Sequence, residues 1–367
     1  MKKDAPSYLE ILPNRVRRNY RGGALLESWT GEGHEGDSER PEDWIGSTVR
    51  ALNPGLAKVQ NEGLTSVRLP DGRSASLPEV LTDAPEYFLG PNHVKQRGHE
   101  LGFLAKLLDS AIRLNVQAHP TAAFAREHLN SPYGKFETYV VLAVREGANP
   151  YLRLGFQHAP EREEWRRIID EQDIPAMDAC FEPIPLKTGE VWRVPGGYPH
   201  AIGEGALVLE VMEPSDWVVR CEFEREGIVV PPQGRFMQRG LEFCLNVFDY
   251  ASRSVSEIRE FCRLEPKTIS KNTELTVEQL VDETHTDCFS VRRLTLRGET
   301  RLPRPGAVGL YLVSHGEGEL HSGEQPLGLK QGSRFLIPAG AEAPTIVPTR
   351  TDALQLLLCL PTLQSTT

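Results

Sequence analysis

Four side chains of this chain, Gln117, His119, Glu137 and His200, could share one cation. Two imidazoles, a carboxylate and an amide oxygen form a donor set for a hard or borderline divalent metal, and a glutamine in place of a third histidine narrows the choice. Gln117 and His119 lie two apart in the run Arg113 to Pro120, which reads as a strand, so both side chains leave the same face. Glu137 opens a second strand that continues from Thr138 to Val144. Each residue alone has an ordinary reading: His200 as a structural histidine, Gln117 and His119 on a solvent-facing edge, Glu137 as a surface charge. Together they are harder to dismiss, because a repeat elsewhere in the chain separates the histidine from the turn that carries it.

That repeat concerns the elements that must position His200. Gly189, Pro195, Gly197 and His200 form the pattern G-x5-P-x-G-x2-H, and Gly332, Pro338, Gly340 and Ala343 repeat it with the histidine replaced by alanine. Val191 to Val194 reads as a strand, the Pro-Gly-Gly that follows as a tight turn, and Ala201 to Met212 as the next strand. Strand, Pro/Gly turn, histidine and strand make the second half of the motif seen in cupins, small double-sheet jelly rolls. The expected fold is therefore mainly β, two cupin domains with helical insertions in the N-terminal half. Residues 1–275 are expected to hold the metal-binding cupin and 276–367 a metal-free one.

The motifs Pro13-Asn14-Arg15-Val16, Tyr20-Arg21-Gly22-Gly23, Pro41 to Ser47, Val116 to Pro120, Ser131 to Lys135, Pro199 to Gly203 and Glu213 to Asp216 run nearly end to end. In these the chain resembles the type I mannose-6-phosphate isomerases. The resemblance implies a zinc ion at Gln117, His119, Glu137 and His200, an active-site arginine at Arg220, and Lys106 at the active site. It implies interconversion of mannose 6-phosphate and fructose 6-phosphate through a cis-enediol. Catalytic roles then fall to Arg220, Lys106 and Lys135, and substrate contacts to Glu210, Asp216 and Trp44. Arginine suits an enediolate because its guanidinium stays charged and bridges two oxygens. Lys106 and Glu210 each interrupt an apolar run that reads as a buried strand, so each needs a partner or a shifted pKa; Lys106, Lys135 and Glu210 are all candidate general bases. An isomerase of a free sugar, or a non-catalytic sugar-binding cupin, is the alternative. Phe136 places a bulky ring beside a ligand, and Cys221-Glu222-Phe223-Glu224 after Arg220 departs from the family pattern.

At 367 residues with a net charge of −10, the chain has ample core and small-molecule work is the simpler expectation; nucleic acid and anionic membrane surfaces are not expected partners. Six cysteines without a C-x-x-C pair, and Asp4, Pro6 and Glu10 where a signal peptide would be apolar, lead to a cytoplasmic expectation. Helices are expected from Ser-Leu-Pro-Glu at 76, over Ala122 to Leu129, over Pro160 to Asp170 and over Thr276 to Asp282. The acidic stretch Gly31 to Asp43 is expected to be a mobile loop or the rim of the site.

Overall fold

The computed structural model describes residues 5–33, 36–304, 306–322 and 325–363. Asp4, on which part of the reading of the N-terminus rested, lies outside them, as do His34 and Glu35 of the acidic loop. Among the described residues the strands form two packed pairs of antiparallel sheets and a separate two-stranded ribbon, Glu224–Arg225 with Ile228–Val229, with helices inserted between strands of the first pair. A seven-stranded sheet has the strand Ala206–Met212 near its centre, between Glu137–Val144 and Leu104–Asp109. It is buried along its whole length, which explains why its sequence is a continuous apolar run broken only by Glu210. Facing it is a five-stranded sheet in which Gln117–Ala118 lies between His200–Ile202 and Val219–Arg220. Tyr139, Trp192 and Val208 from the larger sheet and Leu152, Leu154 and Ile202 from the smaller share one core.

The second pair is a nine-stranded sheet packed on a four-stranded one around Leu294, Tyr311, Phe335, Leu356, Leu320 and Ile346. The two copies of the repeat share their leading turn, with Gly189 and Gly332 at φ 89° and 87°, where only glycine is unstrained, and differ at the Pro/Gly turn, where Gly197 has φ 89° and Gly340 does not take a positive φ. Tyr198 N bonds Pro195 O at 3.2 Å, and Ala341 N bonds Pro338 O at 3.1 Å. The turn thus belongs to the fold and leaves the following position free to vary.

Sheet membership crosses the expected boundary between residues 275 and 276, with N-terminal segments joining the C-terminal sheet. Lys267–Lys271 already belongs to the nine-stranded sheet, and Leu9–Ile11 joins the same sheet by pairing with Arg334–Ile337, with Ser66–Arg68 and Ser74–Ser76 beyond it. The stretch expected to be helical from Thr276 is the strand Leu275–Val281, paired on both sides; its β-branched residues and long-range pairing outweighed any local helix tendency. The expected long strand from Ala201 is broken at Gly203-Glu204-Gly205, and of Arg113 to Pro120 only Gln117–Ala118 pairs as a strand. The other helices form as Leu77–Asp83 with a Ser76 capping box, Ala122–His128 and Arg162–Glu171.

Candidate active site

Two rungs of side chains face each other across the first pair of sheets. On the smaller sheet His200, Gln117 and Arg220 are register partners on three adjacent strands. On the larger sheet Trp44, Lys106, Glu210 and Tyr139 are register partners on four. Cross-strand neighbours on one face stand about 5 Å apart, so each rung collects its side chains without help from loops. Glu137 starts its strand at the edge of this space, and Lys135 precedes it.

The four expected ligands converge. His119 Nε2 lies 3.0 Å from Glu137 Oε1, and His200 Nε2 lies 3.6 Å from Glu137 Oε2. The Gln117 amide nitrogen is 3.5 Å from His200 Nε2, and a half-turn of the amide presents the oxygen that a cation requires. His119 Nδ1 meets Trp217 O at 2.7 Å and His200 Nδ1 meets Tyr198 O at 2.9 Å. A carbonyl only accepts, so each Nδ1 carries the proton and each Nε2 offers a lone pair toward Glu137. Burial, with Lys135 adding to it, lowers the His119 pKa to about 3, and burial likewise lowers that of His200. Both imidazoles are neutral, as metal ligands must be.

Glu137 is ionised: burial opposes its charge, but Lys135 and His119 hold its pKa well below the ordinary value. Its Oε2 accepts from Tyr139 OH at 2.6 Å, whereas buried Oε1 has no aligned donor although Lys135 Nζ stands 2.9 Å away. An ionised oxygen without a hydrogen bond costs several kcal/mol in a dry site. A divalent cation among His119, Glu137 and His200 would satisfy it, and these three form a group with ligand atoms all within 4.8 Å of one another. The residues fit the metal.

The opposite rung supplies charge of both signs. Lys106 Nζ lies 3.1 Å from both Glu42 Oε1 and Glu210 Oε2. Burial works against the Lys106 ammonium, yet Glu210 and Glu42 raise its pKa above the ordinary value, so it is a fixed cation. Burial and the Glu137 charge push the Glu210 pKa up against the pull of Lys106, and its buried Oε1 has no hydrogen bond. Glu42 is the anchor beneath: it accepts from Tyr20 OH at 2.5 Å and Trp44 Nε1 at 2.7 Å, and pairs with Arg18 at 3.3 Å. Burial and nearby Arg18 lower the Arg220 pKa to about 10; its Nη1 donates to Gly234 O at 2.6 Å.

A cavity of about 30 Å³ lies among Arg18, Tyr20, Glu42, Lys106, Gln117, Lys135, Glu137, Glu210 and Arg220. It shares Val218 and Arg220 with a neighbouring cavity of about 760 Å³ that Asp216 also lines. Of the residues expected to contact substrate, Glu210 lines the small cavity and Asp216 the large one. Trp44 lines neither: it is fully buried against Val16, Leu104 and Met212, and its role is to hold Glu42. Phe136 turns its ring away from Glu137, as strand alternation requires, and packs 6.2 Å from Phe289 of the nine-stranded sheet. Within the acidic stretch Gly31 to Asp43, Glu42 opens the strand Glu42–Gly46 and lines the small cavity, whereas Glu32 pairs with Arg334 and Asp37 with Arg145. Arg18, Tyr20, Glu42 and Tyr139 received no role from the sequence. The first three stand in or beside the quoted N-terminal motifs, which were the available signal.

No protein-family model matches the chain. Among curated proteins, the mannose-6-phosphate isomerase of Streptococcus mutans is 30% identical over 237 residues, 64% of this chain and 67% of that protein. The mannose-6-phosphate isomerase ManA of Bacillus subtilis is 28% identical over 246 residues, 66% of this chain and 71% of that protein. Among solved structures, the mannose 6-phosphate isomerase of Bacillus subtilis superposes with a TM-score of 0.73 at 22% identity, covering 96% of this chain and 99% of that one. A mannose 6-phosphate isomerase bound with zinc and yttrium superposes with a TM-score of 0.69 at 18% identity, covering 98% of this chain and 100% of that one. The structural likenesses establish the shared fold, and with the identity to the streptococcal enzyme over two thirds of its length, this chain belongs to the mannose-6-phosphate isomerase family.

Proposed function

We propose that the chain is a cytoplasmic, metal-dependent mannose-6-phosphate isomerase that interconverts mannose 6-phosphate and fructose 6-phosphate. The observation that carries this is the buried Glu137 oxygen without a hydrogen bond between two neutral imidazoles, in one cavity with Glu210, Lys106 and Arg220. All six cysteines are free and buried, which suits a reducing compartment. Among the described residues no helix is long and apolar enough to cross a membrane.

A divalent metal, zinc in this reading, would be held by Gln117, His119, Glu137 and His200 and, when bound, supplies Lewis-acid polarisation of sugar oxygens. The residues do the rest. Glu210 in its ionised form takes the proton from C2 of the open-chain aldose. The electron pair of that C–H bond forms the C1–C2 double bond, and the carbonyl oxygen at C1 becomes the enediol oxygen. Glu210 then returns the proton to C1 while the O2 proton passes to O1, leaving the ketone at C2. A pKa raised toward neutrality suits a group that must both take and give a proton. Lys106, held at 3.1 Å, keeps Glu210 in place and offsets its charge. Arg220 neutralises the developing oxyanion, and Lys135 balances Glu137.

The test is an assay of the metal-loaded protein on mannose 6-phosphate and free mannose in parallel, with the ketose as the readout. Conversion of mannose 6-phosphate is expected. Conversion of free mannose alone would replace the substrate, and no conversion of either sugar would overturn the reading in favour of a binding protein.

A further inference from the structure

The cavity at the reacting carbons holds about 30 Å³, the room of a water or two, so most of a six-carbon substrate must lie in the adjoining cavity of about 760 Å³. The two share Val218 and Arg220 in their walls. A phosphate on C6 is the end farthest from the reacting carbons. In the large cavity the cationic lining is Arg50, Lys58 and Arg220, and the anionic lining is Glu62 and Asp216. Each anion already has an arginine partner: Arg17 Nε stands 3.0 Å from Glu62 Oε1, and Arg18, which also pairs with Glu42, has its Nη2 3.5 Å from Asp216 Oδ1. Arg50 bonds only a neutral amide, Asn61 Oδ1 at 3.2 Å, and Lys58 has no hydrogen-bond or ion-pair partner among the described residues. This leaves unmatched positive charge at the mouth of the site of a chain whose net charge is −10.

The segment bearing these cations is tied to the site. Leu52 N donates to Asp216 Oδ2 at 3.2 Å, Ala51 N to Glu62 O at 2.9 Å, and Arg17 Nη2 to Ala57 O at 2.6 Å. Arg50 and Lys58 therefore sit at fixed places on the cavity wall. We infer that Arg50 and Lys58 form the subsite that receives the phosphate of the substrate and selects a phosphorylated sugar over a free one, leaving Arg220 to the reacting carbons. A guanidinium offers a two-pronged bond to phosphate and an ammonium a point charge, and the two together suit a dianionic monoester. The inference rests on the isomerase reading for the identity of the substrate.

The experiment compares wild type with Arg50→Gln, Lys58→Gln, the double variant, Arg50→Lys and the exposed control Lys187→Gln. KM and kcat for mannose 6-phosphate, kcat/KM for free mannose, and the inhibition constant of inorganic phosphate are measured. Each lost charge-assisted contact is worth roughly tenfold. The double variant is expected to raise KM and the phosphate inhibition constant by about a hundredfold. It should lower the preference for the phosphorylated over the free sugar by the same factor, with most of the loss in KM. Arg50→Lys should recover part of the loss, and Lys187→Gln should match wild type. An unchanged KM, inhibition constant and preference in the double variant would overturn the inference. Trp217 lines the same cavity, so quenching of its fluorescence by inorganic phosphate reads the subsite without turnover. Should wild type fail to isomerise mannose 6-phosphate, the functional reading falls; equal quenching in wild type and double variant would then refute the subsite separately, and quenching lost only in the double variant would sustain it.

Discussion

Glu42→Gln perturbs the site where its charges are most interdependent. The Glu42 carboxylate is wholly buried, and Arg18, Lys106, Tyr20 and Trp44 all converge on it. Burial raises its pKa, and Arg18 and Lys106 reverse that to about 2 against an ordinary 4.5. A displacement of that size corresponds to about 3 kcal/mol of stability. An independent route agrees: removing one partner of a buried ion pair costs about 3 to 5 kcal/mol because the other charge is left uncompensated. Glutamine keeps the shape and one acceptor oxygen, so the lower figure applies. At about 2 °C per kcal/mol for a chain of this length, the melting temperature should fall by roughly 6 °C. The folded-state pKa is depressed, so this contribution is fully present above about pH 4.5 and is lost as the pH falls toward 2. Scanning calorimetry of both proteins between pH 8 and 3.5 should give a constant gap down to about pH 5 and a narrowing one below. A variant that melts within 1 °C of wild type at pH 7, or a gap that stays constant to pH 3.5, would refute the reasoning.

His200→Ala should lose bound metal and isomerisation while keeping its circular dichroism, because the second copy of the turn folds with Ala343 at the equivalent position; an unfolded product would make the histidine structural. Glu210→Gln should retain metal and lose about two to four orders of magnitude in kcat, the share of a general base, and a loss under threefold would remove Glu210 from proton transfer. Arg220→Lys should bind metal normally and lose most turnover, since an ammonium cannot bridge two oxygens from the position held by Gly234 O; wild-type kcat in this variant would exclude the arginine from the chemistry.

The candidate ligands were legible from local chemistry: a period of two places Gln117 and His119 on one face, and a Pro/Gly turn whose duplicate lacks the histidine isolates His200. The mainly β fold was legible from the same turn. The supports were not. Glu42 and Lys106 are 64 residues apart, and only the register of Glu42–Gly46 against Leu104–Asp109 brings them together. Trp44 was expected at the substrate from the family resemblance; its indole instead spends its one donor on Glu42. Phe136 was expected beside a ligand, yet strand alternation sends its ring to Phe289 in the other sheet pair. The domain division was drawn from sequence order, whereas backbone pairing carries Leu9–Ile11 into the C-terminal sheet beside Arg334–Ile337. Non-local pairing of this kind leaves no local mark on the chain.

The most direct test is a stepwise zinc titration of metal-stripped protein, following conversion of mannose 6-phosphate to fructose 6-phosphate and bound metal by mass spectrometry in the same samples. Turnover should rise in proportion to bound metal and stop at one ion per chain, with His200→Ala silent throughout. Full turnover of the stripped protein, or activity that tracks a second ion and survives in His200→Ala, would contradict the assignment of the reaction to the His119, Glu137 and His200 centre.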